Sequence, residues 1–268
     1  MTNRLSFEIN ATKSSSENLT ELIRMTERLK PLYYTVNTEI GQTEWQDTYN
    51  RCCELKNMTD KPVIPHIAIN NKDECELYFI IEKYLKNNFM EFFVIRGDKH
   101  HVDRDKTLNY GTELIEFIRA NYPQVNIKSS IYPDYHKESL TPEVDTFWLK
   151  KKYQLGVSEL ISQVCLNKNA FSYIKKILGE EITITPSMMP LLNFKFMASF
   201  LKSNSIDYPL WIQKHIRENN STNHREIGLK ITKFLALDYL KNENRLHFFT
   251  LNNSKVIAEL FNDLSDYG

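Results

Sequence analysis

The sequence predicts an α/β fold, a (β/α)8 TIM barrel formed as a single domain over residues 1–268, with extra helices before the last strand. Three observations carry this: eight short apolar runs, amphipathic helical stripes between them, and no linker, low-complexity tract or strong repeat in 268 residues. A doubly wound open sheet alternates in the same way. It is the weaker reading, because no GxGxxG follows the first run.

The runs are taken as strands because four to eight apolar residues ended by turn signals suit a strand buried on both faces, as in a parallel sheet. In order they are Leu5–Ile9, Tyr33–Asn37, Val63–Ile69, Phe92–Ile95, Val125–Ile131, Leu160–Gln163, Ile182–Thr185 and Leu246–Thr250. After the first run, Leu19, Leu22, Ile23 and Leu29 share one helical face. Leu77, Ile80, Ile81, Tyr84 and Leu85 do so after the third, Leu114, Ile115 and Ile118 after the fourth, and Phe171, Ile174 and Ile177 after the sixth. Pro186 to Arg245 is longer than one crossover and predicts helices at Phe194–Lys202, Leu210–Arg217 and Glu226–Leu240.

Lys+Arg 34 balances Asp+Glu 34, so nothing in the charge favours nucleic acid or an anionic membrane as a partner. The N-terminus MTNRLSFEIN has no apolar core of a secretion signal, and no apolar run reaches 18 residues. Cys52, Cys53, Cys75 and Cys165 form neither a CxxC nor a disulfide framework. They read as reduced, mostly structural thiols of a cytoplasmic protein. Homo-oligomerisation is left open.

The stretch FFVIRGDKHH (92–101) ends an apolar run on Arg96, Gly97 and Asp98. Alone it reads as a surface turn with a solvated ion pair; nothing else supports an extracellular adhesion signal. A third reading puts both charges at the mouth of a site. In a barrel of this class the residues just past each strand line the functional face. Those positions are Glu8, Asn37, His66, Arg96 with Asp98, Tyr132, Gln163, Met188-Met189 and Thr250-Leu251. Two carboxylates, a histidine and an amide then converge on one rim, which favours the third reading. No metal site is expected: His100 and His101 are adjacent, so their side chains diverge, and no third ligand lies at useful spacing. His136, His215 and His224 read on their own as solvated or structural histidines. No GxSxG and no Cys-His nucleophile arrangement occurs.

Several segments, in order, resemble bacterial-type methylenetetrahydrofolate reductase. They are SFE (6–8), LKP (29–31), PH (65–66), IRGD (95–98), LNYGTEL (108–114), YPDYH (132–136), Asp145 with LKKK (149–152), SQ (162–163), MPLLNF (189–194), Phe200, YPLWI (208–212) and FFTLN (248–252). SFE alone is weak; IRGD, YPDYH and FFTLN together at strand ends are specific. The resemblance implies a TIM barrel carrying FAD, a folate substrate, and a reduced nicotinamide dinucleotide or another electron donor, in one-carbon and methionine metabolism. It implies flavin contacts at Asn37 (where the family has Thr), His66, Arg96, Gly97, Asp98, Tyr110, Tyr132, His136, Asp145 and Lys152.

The chemistry suits each type. Arg96 and Lys152 can neutralise a diphosphate, and Asp145 can accept hydrogen bonds from ribose or ribityl hydroxyls. Tyr132 and His136 offer flat faces and polar tips beside an adenine or sugar. By itself, Lys152 in Lys150-Lys151-Lys152 reads as a solvated helix charge. Glu8 matches the acid that opens the folate's imidazolidine ring, a role suited to a carboxyl kept protonated by desolvation. Asp98 matches a carboxylate that stabilises the cation so formed. Gln163 matches a folate-binding amide, and Phe200 and Leu251 match apolar contacts to folate or nicotinamide; Phe200 reads equally as a packed helix residue.

The chain departs from the family pattern after its early strands. INATKSSS follows the first, Asn37 to Gly41 the second, and Ile67 to Asn70 occupies the end of the third. Neither an NADH nor an NADPH fingerprint is present. Two further readings therefore stand beside a flavin-dependent reductase. One is a diverged member acting as a weakly active or partner-dependent flavin- and folate-binding subunit. The other is a different flavin barrel oxidoreductase, such as a proline-dehydrogenase-like oxidase.

Overall fold

The computed structural model describes residues 4–12, 15–97, 108–218 and 224–261. Eight parallel strands close on themselves in sequence order: β1 (Arg4–Ile9), β2 (Tyr34–Val36), β3 (Val63–Ala68), β4 (Glu91–Ile95), β5 (Asn126–Ile131), β6 (Val157–Val164), β7 (Ile184–Met188) and β8 (Arg245–Phe249). Closure pairs β1 with β8, Arg4 opposite Arg245 and Glu8 opposite Phe249. The expected TIM barrel is therefore the fold.

Helices α1 (Ser16–Glu27), α2 (Trp45–Lys56), α3 (Glu74–Leu85), α4 (Gly111–Asn121), α5 (Pro142–Gln154) and α6 (Lys168–Leu178) each fill one crossover. Their starts are set by side chains that satisfy otherwise unpaired backbone N–H groups. Asp73 accepts from Glu76 N while Glu76 accepts from Asp73 N, a reciprocal cap on α3. Asn167 accepts from the N–H groups of Asn169 and Ala170 to open α6. The predicted stripe Leu77, Ile80, Ile81 and Tyr84 is the buried face of α3.

The long final crossover holds the expected three helices, α7 (Phe194–Ser203), α8 (Leu210–Glu218) and α9 (His224–Glu243), and α10 (Ser254–Phe261) follows β8. Close approach of α9 needs a glycine: a Cβ on Gly228 would come within 1.6 Å of Leu191 O. Thr232 Oγ1 then donates to Gly228 O and accepts from Leu191 N.

Two strands differ from their sequence reading by more than one residue at an end. β7 begins two residues later than expected and runs through Pro186, because the pairing of β6 with β7 is irregular between Ile161 and Val164, and a proline without an N–H is tolerated there. Met188 thus lies inside the strand. It and Met189 pack in the core between barrel and helices rather than lining the rim. β6 starts three residues earlier than expected, because Glu159 interrupts the apolar run but points into the barrel.

Strand alternation sorts the two faces. Phe7 faces outward, its ring 5.9 Å from that of Phe261, so Ser6 and Glu8 face inward. The barrel interior is unusually polar below its mouth. Lys128 Nζ stands 3.0 Å from Glu159 Oε2, Arg245 lies 3.4 Å from Glu159 Oε1, and the Thr185 hydroxyl donates to the same carboxylate. Tyr33, Ile64, Phe93 and Ile161 form a small apolar layer of their own. Above it His247 Nδ1 meets Ser6 Oγ at 2.8 Å.

Candidate active site

The carboxyl-terminal ends of the strands bring together two groups of polar residues. The first lies on β1 to β3. Glu8, on β1, is buried and accepts a hydrogen bond from Asn37 Nδ2 at 3.2 Å, just past β2. His66, on β3, is buried, and its Nε2 stands 3.7 Å from Glu8 Oε2 without a hydrogen-bond partner among the described residues. This spacing suits an ion pair only if both groups are charged, and burial opposes that. Desolvation raises the Glu8 carboxyl to about 8, against a smaller lowering by the Asn37 hydrogen bond. Desolvation, with some help from His247, lowers the His66 imidazole to about 3. Near neutral pH the pair is therefore a carboxylic acid beside a neutral imidazole. Thr250, just past β8, holds the Glu8 carbonyl through its hydroxyl, at 2.7 Å, and its N–H.

The second group lies on β4, β5 and α5. Arg96 follows β4 and makes a two-pronged contact with Glu138, at 2.5 and 2.7 Å. Gly97 adopts φ +88°, and a Cβ there would come within 2.0 Å of Asn70 Oδ1, so the turn requires glycine. The Arg96 carbonyl accepts from the N–H groups of Ile69 and Asn70, which ties the loop after β3 to the end of β4. Tyr132 and His136 meet edge to face at 5.0 Å. Asp145 is buried and folds this loop under itself, accepting from His136 N and Ser139 Oγ. Lys152 is no solvated helix charge: its Nζ donates to Ser130 O on β5 at 2.6 Å, and burial lowers it to about 8, partly opposed by Asp145. Burial first, then Arg96, lower His136.

The remaining expected residues lie on β6, on α7, just past β8 and at the start of α4. Gln163, on β6, turns its Oε1 back to accept from Val164 N at 2.9 Å. Phe200, on α7, is half-buried and stacks with Phe196 at 6.3 Å. Leu251, just past β8, is exposed with φ +51°. Tyr110 is exposed at the start of α4. Asp98, His100 and His101 lie outside the described residues.

With this geometry in place, comparison with known proteins is decisive. The family model described as methylenetetrahydrofolate reductase matches residues 2–265. The chain belongs to this family of oxidoreductases. Relatives named 5,10-methylenetetrahydrofolate reductase include one from Buchnera aphidicola subsp. Baizongia pistaciae, 26% identical over 90% of this chain and 84% of that protein. The Salmonella typhimurium and Escherichia coli K12 proteins are 23% and 22% identical, each over 91% of this chain and 84% of its own length. Among solved structures, a 2,3-dimethylmalate lyase of the PEP mutase/isocitrate lyase superfamily aligns with a TM-score of 0.57 at 8% identity, covering 98% of this chain and 80% of that one. The aldolase QR15 aligns at 0.56 and 10%, covering 99% and 96%. At such identities the likeness is one of fold alone.

In this family member, sequence reasoning missed Glu138 and Asn10. Glu138 sits two residues past YPDYH and was legible as an anion near Arg96 only once the two strand ends were neighbours. Asn10 directly follows β1 and holds Asn37. No group of three or more His, Cys, Asp or Glu suited to a metal occurs among the described residues. All four cysteines are free. No described helix is long and apolar enough to cross a membrane.

Proposed function

We propose that this chain uses bound FAD to reduce 5,10-methylenetetrahydrofolate to 5-methyltetrahydrofolate in cytoplasmic one-carbon and methionine metabolism, with electrons from a reduced nicotinamide or another donor. The observation that carries the reading is Glu8: a buried carboxyl at the barrel mouth, with no described cation against it and its titration raised to about 8.

Two features of the chain fit a flavin. Arg96, His136 and Lys152 gather at the ends of β4 and β5, as a diphosphate requires. The buried Nε2 of His66 stands without a hydrogen-bond partner beside Glu8. Tyr132, with the Asp145-braced loop behind it, supplies an aromatic wall, and Asp145 itself acts by shaping that loop. When bound, reduced flavin supplies the hydride that reaches the methylene carbon.

The chain's own part is acid chemistry. Glu8 gives its proton to the folate ring nitrogen that leaves the methylene bridge, and the carbon–nitrogen bond breaks with its electron pair going to that nitrogen, which leaves the methylene carbon as an iminium open to reduction. Asp98 is proposed to face that cation. Gln163, Phe200 and Leu251 are proposed to hold the folate.

Anaerobic stopped flow separates the two halves. Glu8→Gln keeps the shape but delivers no proton, so the folate half-reaction should fall by about 100-fold or more, while flavin reduction by the nicotinamide donor survives. An unimpaired folate half-reaction removes Glu8 from the chemistry. Cofactor released from the purified protein should chromatograph as FAD; FMN alone would overturn the diphosphate assignment.

A further inference from the structure

We propose that Asn37 is a positioning residue for Glu8, and that it selects which carboxyl oxygen carries the proton. The inference rests on the reading of Glu8 as the proton donor. The orientation of the Asn37 amide is fixed by its neighbours. Ala11 N–H points at one end of it from 2.9 Å, and a backbone N–H only donates, so that end is Oδ1. Nδ2 therefore faces the other way. One of its hydrogens goes to Asn10 Oδ1 at 2.7 Å and the other to Glu8 Oε1 at 3.2 Å. Both donors are thus committed within the chain.

The backbone of Asn37 is fixed as well. Its N–H donates to Ile9 O, and its carbonyl accepts from Thr48 Oγ1 at 2.9 Å. Asn10 is held in turn by Asn252, donating to its Oδ1 and accepting from its Nδ2. Asn18 Nδ2 donates to Asn252 O, and Ser254 Oγ contacts Asn18 Oδ1. A line of amides thus runs from α1 and the β8 loop to the carboxyl of Glu8.

The consequence is chemical. An oxygen that accepts from Asn37 is the acceptor of the carboxylic acid, so the acid proton sits on Oε2. That oxygen faces His66, 3.7 Å away, on the side where His66 Nε2 has no partner among the described residues. His66 is the titratable group of the described residues that faces Glu8, and His247 acts on it from β8. Asn37 therefore presents the proton toward His66 on β3 instead of toward β2.

Infrared spectroscopy of the purified protein, referenced to Glu8→Gln, reads the Glu8 carbonyl band and its titration without folate or turnover. Asn37→Ala should move the band to higher wavenumber and raise the titration midpoint by about one pH unit, the size expected for losing one hydrogen bond to a charged group. Asn10→Ala, which leaves the Asn37 amide in place but removes its anchor, should move both in the same direction by less. This milder variant carries the test if Asn37→Ala does not fold. A band and midpoint unchanged in the folded variants would overturn the proposal. So would a tenfold loss of flavin affinity in Asn37→Ala with an unmoved Glu8 band, which would make Asn37 a cofactor contact. If the bands shift while Glu8→Gln retains folate reduction, the positioning stands and the proton-donor reading falls.

Discussion

Glu8 at the mouth of the barrel and Glu159 near its floor are both buried carboxyl groups on inward-facing strand positions, 11% and 5% exposed at the side chain. Burial pushes each of them up. At Glu159, Lys128 at 3.0 Å, the Thr185 hydroxyl and Arg245 outweigh that push, and the carboxyl ends below the usual range. At Glu8 the described neighbours are an amide and a histidine that is itself neutral, and the carboxyl stays up, at about 8. The difference teaches that depth inside the barrel does not set the role of a carboxyl. The floor has an ion locked by cations; the mouth has a carboxyl that keeps its proton near neutral pH.

The comparison breaks most violently at the floor. Lys128→Met leaves the Glu159 carboxylate buried with only the more distant Arg245 for charge, and should cost about 3–5 kcal/mol of folding stability, measured by urea denaturation. Glu8→Gln, by contrast, puts a neutral amide where the folded protein holds a neutral acid, and the unfolded wild type has already released that proton at pH 6, so the variant should lose no stability there and gain up to about 2 kcal/mol. A Lys128→Met protein as stable as Glu8→Gln would mean that the floor carboxyl is not held as an ion.

The same contrast separates what the sequence revealed from what it hid. The barrel was legible because its strands are runs such as Phe92–Ile95 and its helices carry stripes such as that of α3. Asn37 and Arg96 were legible because each directly follows a strand, whereas Glu8 and His66, expected just past their strands, lie within β1 and β3 and were legible through the SFE and PH segments. Lys128, Glu159 and Arg245 were not, since each charge meets its partner across strands far apart in sequence, and a charged residue within a strand reads as an interruption. That is why the start of β6 was missed. The limits of β7 were misplaced because Pro186 signals an end, and only the irregular pairing with β6 lets it continue. Glu138 and the Asn10–Asn37–Asn252 line were hidden for a similar reason. Short polar residues such as these read as loop until the barrel closes and brings three loops into contact.

The next effect sharpens the comparison through pH. Glu8 has a folded value of about 8 against an ordinary 4.5, so the folded protein binds a proton that the unfolded chain has released. Its contribution to stability is fully present below pH 4.5 and is lost as pH rises through 8. Between pH 6 and 8 the stability of the wild type relative to Glu8→Gln should therefore fall by about 2 kcal/mol. Taking the difference cancels the opposite slopes of His66 and His247, which are both lowered by burial. Parallel stability curves for the two proteins would show that Glu8 is ionised in the folded state and would bring it into line with Glu159.

The smallest effect tests whether an ion pair near the mouth behaves like the floor cluster. Arg96 and Glu138 have the tight two-pronged geometry of a structural pair, but their side chains are 21% and 49% exposed. Solvent screening leaves such a pair worth under about 1 kcal/mol. Glu138 therefore competes only weakly for the guanidinium that is proposed to hold the flavin diphosphate. Glu138→Gln should leave folding stability within about 0.5 kcal/mol of wild type. It should tighten flavin binding by about two- to fivefold, read from quenching of flavin fluorescence on titration with the flavin-free protein. The gain should shrink as salt is raised, because the competing attraction is screened in the solvent-exposed arm. Weaker flavin binding in this variant would give Glu138 the opposite task, that of aiming Arg96 at its anion. Arg96, Glu138 and the anion would then be one preorganised unit, as Lys128, Glu159 and Arg245 are at the floor.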